Sequence, residues 1–182
     1  MKRNLSARLL DLPIPTAAGE FIARYSGHGL CHLEFPSGAK RGKSKAGAGP
    51  ASAQIRRWHA ATSRALKLAL AGRPPKKLPP LDLSAGTSFQ QRVWHTLRQI
   101  GRGQTRSYGA VAQAIGKPKA VRAVGGACGA NPIPVFVPCH RVVAADHSLG
   151  GFSGGLDWKR ALLRREGIGR LVPEKRRSSG HL

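Results

Sequence analysis

The sequence predicts an α+β fold in which a small N-terminal sheet precedes a mostly helical C-terminal part. Two patterns support this order. Apolar and polar residues alternate from Phe21 to Tyr25 and from Leu30 to Phe35, as in the strands of a half-buried hairpin. From Gly86 onward, apolar residues instead recur at helical spacing. We therefore expect an N-terminal domain over residues 1–84, a helical domain over residues 85–170 and a basic, disordered tail over residues 171–182.

The N-terminal part contains a basic loop and a helix after the hairpin. Residues 36–51 are rich in Gly, Ala, Ser and Lys and lack periodicity, so we expect a flexible basic loop there. Apolar residues return at helical spacing from Gln54 to Leu70. The stretch from Leu81 to Leu83 is a candidate for one further strand.

The C-terminal part is predicted to be built from helices. Ser88 is the expected N-cap of the first helix, and Ser107 opens the second. The second and third helices are short and closely joined, which is typical of a helix-turn-helix. Residues 131–143 are expected to be extended. The predicted helices cover residues 89–100, 108–115, 119–128 and 157–166.

The charge of the chain indicates a polyanionic partner. Its 182 residues include 31 Lys and Arg but 8 Asp and Glu, which gives a formal net charge of +23. Basic residues outnumber acidic ones in both predicted domains, so the charge is not confined to the tail. Nucleic acid is the leading candidate partner, and an acidic membrane surface is the second.

The distribution of apolar residues and the cysteine content argue against a membrane-spanning or a secreted protein. No apolar run approaches the roughly 18 residues of a membrane helix. Asp11 and Pro13 interrupt any signal-peptide core, although residues 1–10 lack acids and leave a short transit-like segment as an alternative. Three cysteines in no framework spacing indicate a reducing compartment. We expect a protein that is not secreted: cytoplasmic in a bacterium, nuclear in a eukaryote.

The segment Pro138-Cys139-His140-Arg141 carries the clearest chemical signal. An apolar run that ends in a cysteine is most often a buried strand with an inert thiol. Pro138, however, removes a backbone donor, which is unusual inside a sheet. His140 and Arg141 add a base and a positive field, which we expect to lower the pKa of the thiol. The pattern therefore favours a nucleophilic cysteine beside a base.

The base in turn requires an acidic group to orient it, and acids are scarce. Residues 86–170 contain Asp146, Asp157 and Glu166. Glu166 follows an apolar stretch of the last helix and needs a partner there, for which His140 is the best candidate. An exposed surface Glu166 is the alternative.

Seven motifs between Gly86 and Gly167 lie in one unbroken register. They are Gly86–Gln90, Val93–Trp94, Thr105–Gly109, Arg122–Gly125, Gly129–Pro132, Val137–Val142 and Leu162–Gly167. Together they resemble the O6-alkylguanine-DNA alkyltransferases, a family of DNA-repair proteins. The resemblance implies a small ribonuclease-H-like α/β domain followed by a winged helix-turn-helix-like domain that holds the active site.

The resemblance also implies an activity: a methylated-DNA–protein-cysteine S-methyltransferase that reacts once and irreversibly. It would flip the damaged nucleotide of double-stranded DNA and take the alkyl group from O6-alkylguanine, and from O4-alkylthymine. A monomer without cofactor is expected. Because the early cysteine of the family's zinc site is missing, no metal is expected either.

Residue roles follow from the matched positions. Cys139 resembles the alkyl acceptor, and His140 with Glu166 resembles its proton relay, with a water between His and Cys. Asn131 resembles the hinge asparagine, and Tyr108 the tyrosine that donates a proton towards the departing guanine. Arg122 is similar to the finger that replaces the flipped nucleotide. Further DNA contacts are expected at Tyr108, Gln90, Gly109, Lys117 and Ala145, and the substrate pocket at Pro134, Val142, Phe152, Ser153 and Gly154.

Two readings from other classes stay open at this point. A DNA-binding regulator would use the helix-turn-helix for sequence recognition, but the small residues of its second helix offer few side chains to read base edges. A general basic nucleoid or RNA-binding protein would explain the charge. It would not explain the Pro-Cys-His-Arg segment.

Overall fold

The computed structural model describes residues 9–36 and 50–169. Most of the transit-like alternative at the N-terminus, the greater part of the basic loop and the whole C-terminal tail fall outside these ranges. Within them the fold is a mixture of helices and small sheets, which confirms the α+β prediction. None of the helices in these ranges is both long and apolar enough to cross a membrane.

The N-terminal sheet has three antiparallel strands in the order β1-β2-β3. β1 covers Leu10–Thr16, β2 covers Gly19–Tyr25 and β3 covers Leu30–Glu34. Alternate residues of β2, from Phe21 to Tyr25, are buried, as their spacing predicts. Leu81 forms an isolated parallel bridge with Leu30, so the predicted fourth strand is reduced to a single pair.

Helix α1 (Ala53–Leu70) covers one face of this sheet. Ser52 is its N-cap, because its side chain accepts a hydrogen bond from the Ile55 backbone. The predicted helix over Gln54 to Leu70 is therefore confirmed, one residue longer.

The C-terminal part contains four helices and one two-stranded parallel sheet. The sheet pairs β4 (Arg106–Ser107) with β5 (Val142–Val143), and the sequence pattern did not predict it. Ser107 caps α3 as predicted. Helix α2 begins one residue earlier than expected, because Thr87 rather than Ser88 is its N-cap. The helices are α2 (Ser88–Leu97), α3 (Tyr108–Ala114), α4 (Val121–Gly129) and α5 (Leu156–Arg165).

The prediction that residues 131–143 are extended is confirmed for Val142 and Val143, which form β5, and is wrong for residues 131–141. Most of the segment is a series of turns that ends in a short 3-10 turn, Cys139–Arg141. The side-chain oxygen of Asn131 accepts a hydrogen bond from the Ile133 backbone, and the Val137 amide donates to the Ile133 carbonyl. Val135 has a φ of +75°. The apolar side chains of residues 133–137 are nevertheless buried. The apolar character of this segment therefore reflects its place in the core and not a strand of a sheet.

A single hydrophobic core connects the N-terminal sheet with the C-terminal helices. At the junction, the Phe35 ring packs against Trp158 and Phe152 with centroids 4.9 and 5.6 Å apart. The Leu33 amide also donates to the Pro132 carbonyl at 2.8 Å. The sheet therefore supports the segments that carry the motifs of the C-terminal part.

Candidate active site

Cys139 lies at the start of the 3-10 turn and is 3% exposed. Its Sγ accepts a hydrogen bond of 3.0 Å from Nδ2 of Asn131. The same amide nitrogen donates to the Val137 carbonyl at 2.8 Å. Asn131 is itself buried and therefore fixes both the turn and the sulfur.

His140, which is buried, forms a charge network with the partly buried Arg141 and Glu166. Nε2 of His140 lies 3.1 Å from Oε1 of Glu166, so the expected pairing is present. Arg141 donates to both carboxylate oxygens, at 2.9 and 2.7 Å, and to the Ile100 carbonyl at 2.5 Å. Burial would raise the pKa of Glu166, but hydrogen bonds from His140 and Arg141 lower it to about 2. Glu166 is thus a permanently charged anchor for the histidine.

The histidine is held in its neutral form. Burial lowers the pKa of His140, and the Glu166 hydrogen bond offsets this only in part. Its Nδ1 is buried and has no hydrogen-bond partner among the described residues. A neutral imidazole with one nitrogen on a carboxylate can accept a proton at the other.

The expectation that His140 and Arg141 lower the pKa of the thiol is wrong for the free protein. Burial raises the pKa of Cys139, and the Asn131 hydrogen bond offsets only part of the effect. Arg141 is neutralised by Glu166 and does not leave an unpaired charge for the sulfur. The resting group is therefore a thiol rather than a thiolate.

Tyr108 is the first residue of α3 and lies next to the loop that follows β5. Burial raises the pKa of its hydroxyl to about 12, and the thiols of Cys128 and Cys139 add to the shift. A Cβ built on Gly150, where φ is +61°, would come within 2.7 Å of the Tyr108 hydroxyl oxygen. Tyr108 therefore remains a proton donor near neutral pH, closely packed against a backbone that only glycine allows.

The residues expected at DNA lie on helices α2, α3 and α4 and in the neighbouring loops. Arg122 is exposed at the second position of α4, and Lys117 is exposed in the turn before it. Gly109 is the second residue of α3, and Ala145 lies in an exposed turn after β5. Gln90 lies in the first turn of α2, and its side-chain oxygen accepts a hydrogen bond from the Thr87 backbone amide. A contact with phosphate would have to come from its amide nitrogen.

The expected pocket residues are only partly brought together. Pro134, Ser153 and Gly154 line one cleft of about 500 Å³, together with Asn131 and residues 32–36 at the end of the N-terminal sheet. Val142 is fully buried and Phe152 half-buried, and neither lines this cleft. A Cβ on Gly154 would lie 2.6 Å from the Phe35 ring. The N-terminal wall of the cleft was not predicted.

Lys159 is a residue near the site that the sequence argument missed. It lies in α5 at 0% exposure, and its Nζ donates to the Val142 carbonyl at 2.6 Å and to the Leu149 carbonyl. The available signal was its spacing. Lys159 precedes the buried Leu162 and Leu163 by three and four residues, which places a lysine on the apolar stripe of the helix.

Comparisons with known proteins identify the family. Residues 88–168 match the family described as "6-O-methylguanine DNA methyltransferase, DNA binding domain". A methylated-DNA–protein-cysteine methyltransferase of Methanosarcina barkeri is 38% identical over 157 residues, which cover 84% of this chain and 94% of that protein. The crystal structure of Mycobacterium tuberculosis OGT in complex with DNA aligns over 91% of this chain and 94% of that one, with 36% identity and a TM-score of 0.71.

Other relatives match over the C-terminal half alone. A methylated-DNA–protein-cysteine methyltransferase of Haemophilus influenzae is 54% identical over 83 residues, 46% of this chain and 46% of that protein. The match spans about half the length or less of the first curated relatives. The Methanosarcina and Mycobacterium tuberculosis alignments, in contrast, extend across both parts of the fold. With nearly the whole length of these two proteins matched, the chain belongs to the methylated-DNA–protein-cysteine methyltransferase family.

Proposed function

We propose that this protein repairs alkylated DNA by transferring the alkyl group of O6-alkylguanine, and of O4-alkylthymine, to its own Cys139. The observation that carries the proposal is the placement of the Cys139 sulfur. It is hydrogen-bonded to Asn131. The next residue of the same turn is a neutral His140, whose Nε2 faces Glu166 and whose Nδ1 has no partner among the described residues. A thiol, a base and an oriented acid are the groups that a covalent transfer requires.

The reaction follows from the charges at the site. His140 accepts the Cys139 proton at Nδ1, through a bridging water, and Glu166 stabilises the imidazolium. The sulfur then attacks the alkyl carbon, so that a carbon–sulfur bond forms and the bond to guanine O6 breaks. Tyr108 donates a proton to the purine as negative charge develops on it. The proton on His140 then returns to Tyr108, so that in sum the thiol proton is exchanged for the alkyl group and an ordinary guanine remains in the DNA.

The product is a thioether, which is not hydrolysed as a thioester would be. No step of this scheme regenerates the thiol, so each molecule reacts once.

Access to the alkylated base requires that the nucleotide leave the stack, because the alkyl group is buried in duplex DNA. Arg122 is proposed to fill the gap, since it is exposed on α4 at the surface of the helix-turn-helix. Gln90, Gly109, Lys117 and Ala145 are proposed to contact phosphates around it. The exposed residues of α4 other than Arg122 are small or apolar, which suits close approach rather than the reading of base edges.

The finer organisation of the chain is part of the proposal. We assign residues 1–84 to a ribonuclease-H-like domain and residues 85–170 to a winged helix-turn-helix-like domain. The expected partner is double-stranded DNA, bound by a monomer, in the bacterial cytoplasm or a eukaryotic nucleus. The high positive charge and the DNA complex of the Mycobacterium tuberculosis neighbour support the choice of partner.

Transfer of radiolabelled methyl from O6-methylguanine in duplex DNA tests the proposal. Wild-type protein should gain one label per chain, and Cys139→Ala none while still binding DNA. The variants Cys31→Ala and Cys128→Ala are the matched controls, because both remove a free thiol elsewhere, and both should keep the label. Labelled Cys139→Ala protein, or more than one equivalent of repair per chain, would refute the assignment.

A further inference from the structure

The short segment that follows α2 holds Glu166 from two sides. Nη1 of Arg141, the arginine paired with the Glu166 carboxylate, donates to the Ile100 carbonyl at 2.5 Å. Two residues further along the chain, Arg102 donates from Nη2 to the carbonyl of Arg165, the neighbour of Glu166, at 2.6 Å. The side chain of Glu166 and the backbone beside it are therefore both attached to this segment.

Arg102 also bonds the end of the first helix. The same Nη2 donates to the carbonyl of Gly72, which follows the C-cap of α1. Arg165 is the last residue of α5, so one guanidinium group lies where the C-terminal ends of two helices meet. Such ends carry partial negative charge and carbonyls without an intrahelical donor, and a cation stabilises both. Arg102 thus connects the N-terminal part of the fold with the helix that leads to the acid of the relay.

The backbone around Arg102 runs directly against the end of α5. Gly72 has a φ of +71°, and a Cβ built on it would lie 2.7 Å from the Arg165 carbonyl oxygen. Gly103 has a φ of +76°, and a Cβ on it would lie 3.5 Å from the Glu166 carbonyl oxygen. Both glycines adopt a conformation that other residues rarely take. This close approach of the loops brings the guanidinium group within reach of both carbonyls.

The junction borders a cleft that reaches the relay. Arg102 lines this cleft of about 210 Å³ together with His140, Arg141 and Glu166. The Glu166 side chain is 11% exposed, whereas His140 is buried. A carboxylate at the edge of an open cleft can move away from its partner unless the backbone that carries it is held. The position of Glu166 relative to His140 therefore depends on where α5 ends, which Arg102 fixes.

We propose that Arg102 is a positioning residue of the transfer reaction: it holds the end of α5 so that the Glu166 carboxylate stays on Nε2 of His140. This inference rests on the proposed function. With its Nε2–H bound by the carboxylate, the imidazole keeps Nδ1 free to accept the Cys139 proton. If the end of α5 moves, this orientation is lost and transfer slows, although no group that touches the substrate has changed.

The first test follows the His140 ring in full-length protein without DNA. Nitrogen-15 NMR distinguishes a protonated ring nitrogen from an unprotonated one, and the wild type should show the His140 proton fixed on Nε2. Arg102→Met removes both hydrogen bonds, so its His140 signals should move towards the average of the two tautomers. Arg98→Met is the matched control and should give the wild-type spectrum, because Arg98 is exposed, lines the same cleft and takes no part in either hydrogen bond.

Single-turnover methyl transfer measures the consequence for the reaction. Arg102→Met should react roughly tenfold more slowly than the wild type, since a small displacement of a group that orients the reaction can cost up to about a hundredfold. Arg98→Met should keep the wild-type rate. In a Glu166→Gln background, Arg102→Met should slow transfer by less than about twofold, because the carboxylate that Arg102 positions is already gone. A purely structural role would slow both backgrounds by the same factor.

Wild-type His140 signals in a folded Arg102→Met protein, or equal slowing in both backgrounds, would overturn the proposal. Arg102→Gln gives the same comparison if Arg102→Met does not fold, since it leaves a polar group in this exposed position. Methyl transfer by the wild type tests the proposed function separately. If the wild type takes up no methyl group, the proposed function fails, and the NMR comparison still decides whether Arg102 orients the histidine.

Discussion

Replacing Glu166 by Gln should destabilise the protein in a way that depends on pH. In the folded protein the pKa of Glu166 is about 2, against an ordinary value of 4.5. This difference corresponds to on the order of 3 kcal/mol of stabilisation of the charged form. Because the pKa is lower in the folded protein, the stabilisation is complete above pH 4.5 and is lost as the pH falls towards 2.

Chemical denaturation at several pH values measures this effect. At pH 7, Glu166→Gln should lower the free energy of unfolding by roughly 2–3 kcal/mol, since Arg141 and His140 lose a charged partner. The difference from wild type should narrow below pH 4.5 and nearly vanish near pH 2. Asp157→Asn is the matched control, because Asp157 is a fully exposed acid on α5 whose ion pair with Arg160 lies in solvent.

The same variant should slow methyl transfer by about a hundredfold at pH 7, because the imidazolium of His140 is no longer stabilised. Asp157→Asn should transfer at the wild-type rate. A loss of stability in Glu166→Gln that is equal at pH 7 and pH 3 would refute the charge argument. Full transfer activity in a folded Glu166→Gln protein would refute the role of the relay.

Three further predictions concern the hinge, the cleft and the DNA surface. Asn131→Ala should lower the free energy of unfolding by about 1–3 kcal/mol, because the Val137 carbonyl, the Cys139 sulfur and the Ile133 amide each lose a hydrogen bond. The same variant should slow transfer at least tenfold in the labelled-methyl assay. Gly154→Ala should lower the melting temperature and slow the reaction with benzylguanine, because the added Cβ would press on the Phe35 ring. Gly151→Ala is the control and should change neither, because a Cβ there meets nothing within 4 Å. Arg122→Ala should weaken binding to unrelated duplexes alike and reduce the salt slope of log K by about 1, and an unchanged slope would place Arg122 away from phosphate.

The predicted and observed secondary-structure elements agree where the residues that determine an element all lie within that element. Ser107 caps α3, and α1 is confirmed almost to the residue, because caps and periodicity lie within each segment. The N-cap of α2 is different. Both Thr87 and Ser88 are followed three residues later by glutamine, so two capping boxes fit the sequence. The tertiary fold decides between them, because the side-chain nitrogen of Gln91 donates to the Gly86 carbonyl at 2.7 Å.

At the candidate site, the pairing of His140 with Glu166 was predictable from the shortage of acids. The resting charge of Cys139 was not. That charge depends on burial and on whether the Arg141 charge is free, and both are properties of the folded chain. The turns over residues 131–138 had a signal in their prolines and in Asn131, but the apolar character of the run outweighed it in the prediction.

The protonated state of Cys139 is consistent with a protein that reacts once. A permanently charged thiolate would be open to oxidation, and each oxidised molecule would be lost to repair. In the proposed reaction the thiol is instead buried and protonated at rest, with a neutral base at His140. Glu166 and Arg141 neutralise each other and keep the histidine oriented. Activation then requires only that one proton move from Cys139 to His140. The thiolate formed in this way can react once an alkyl carbon is in position to be attacked by the sulfur.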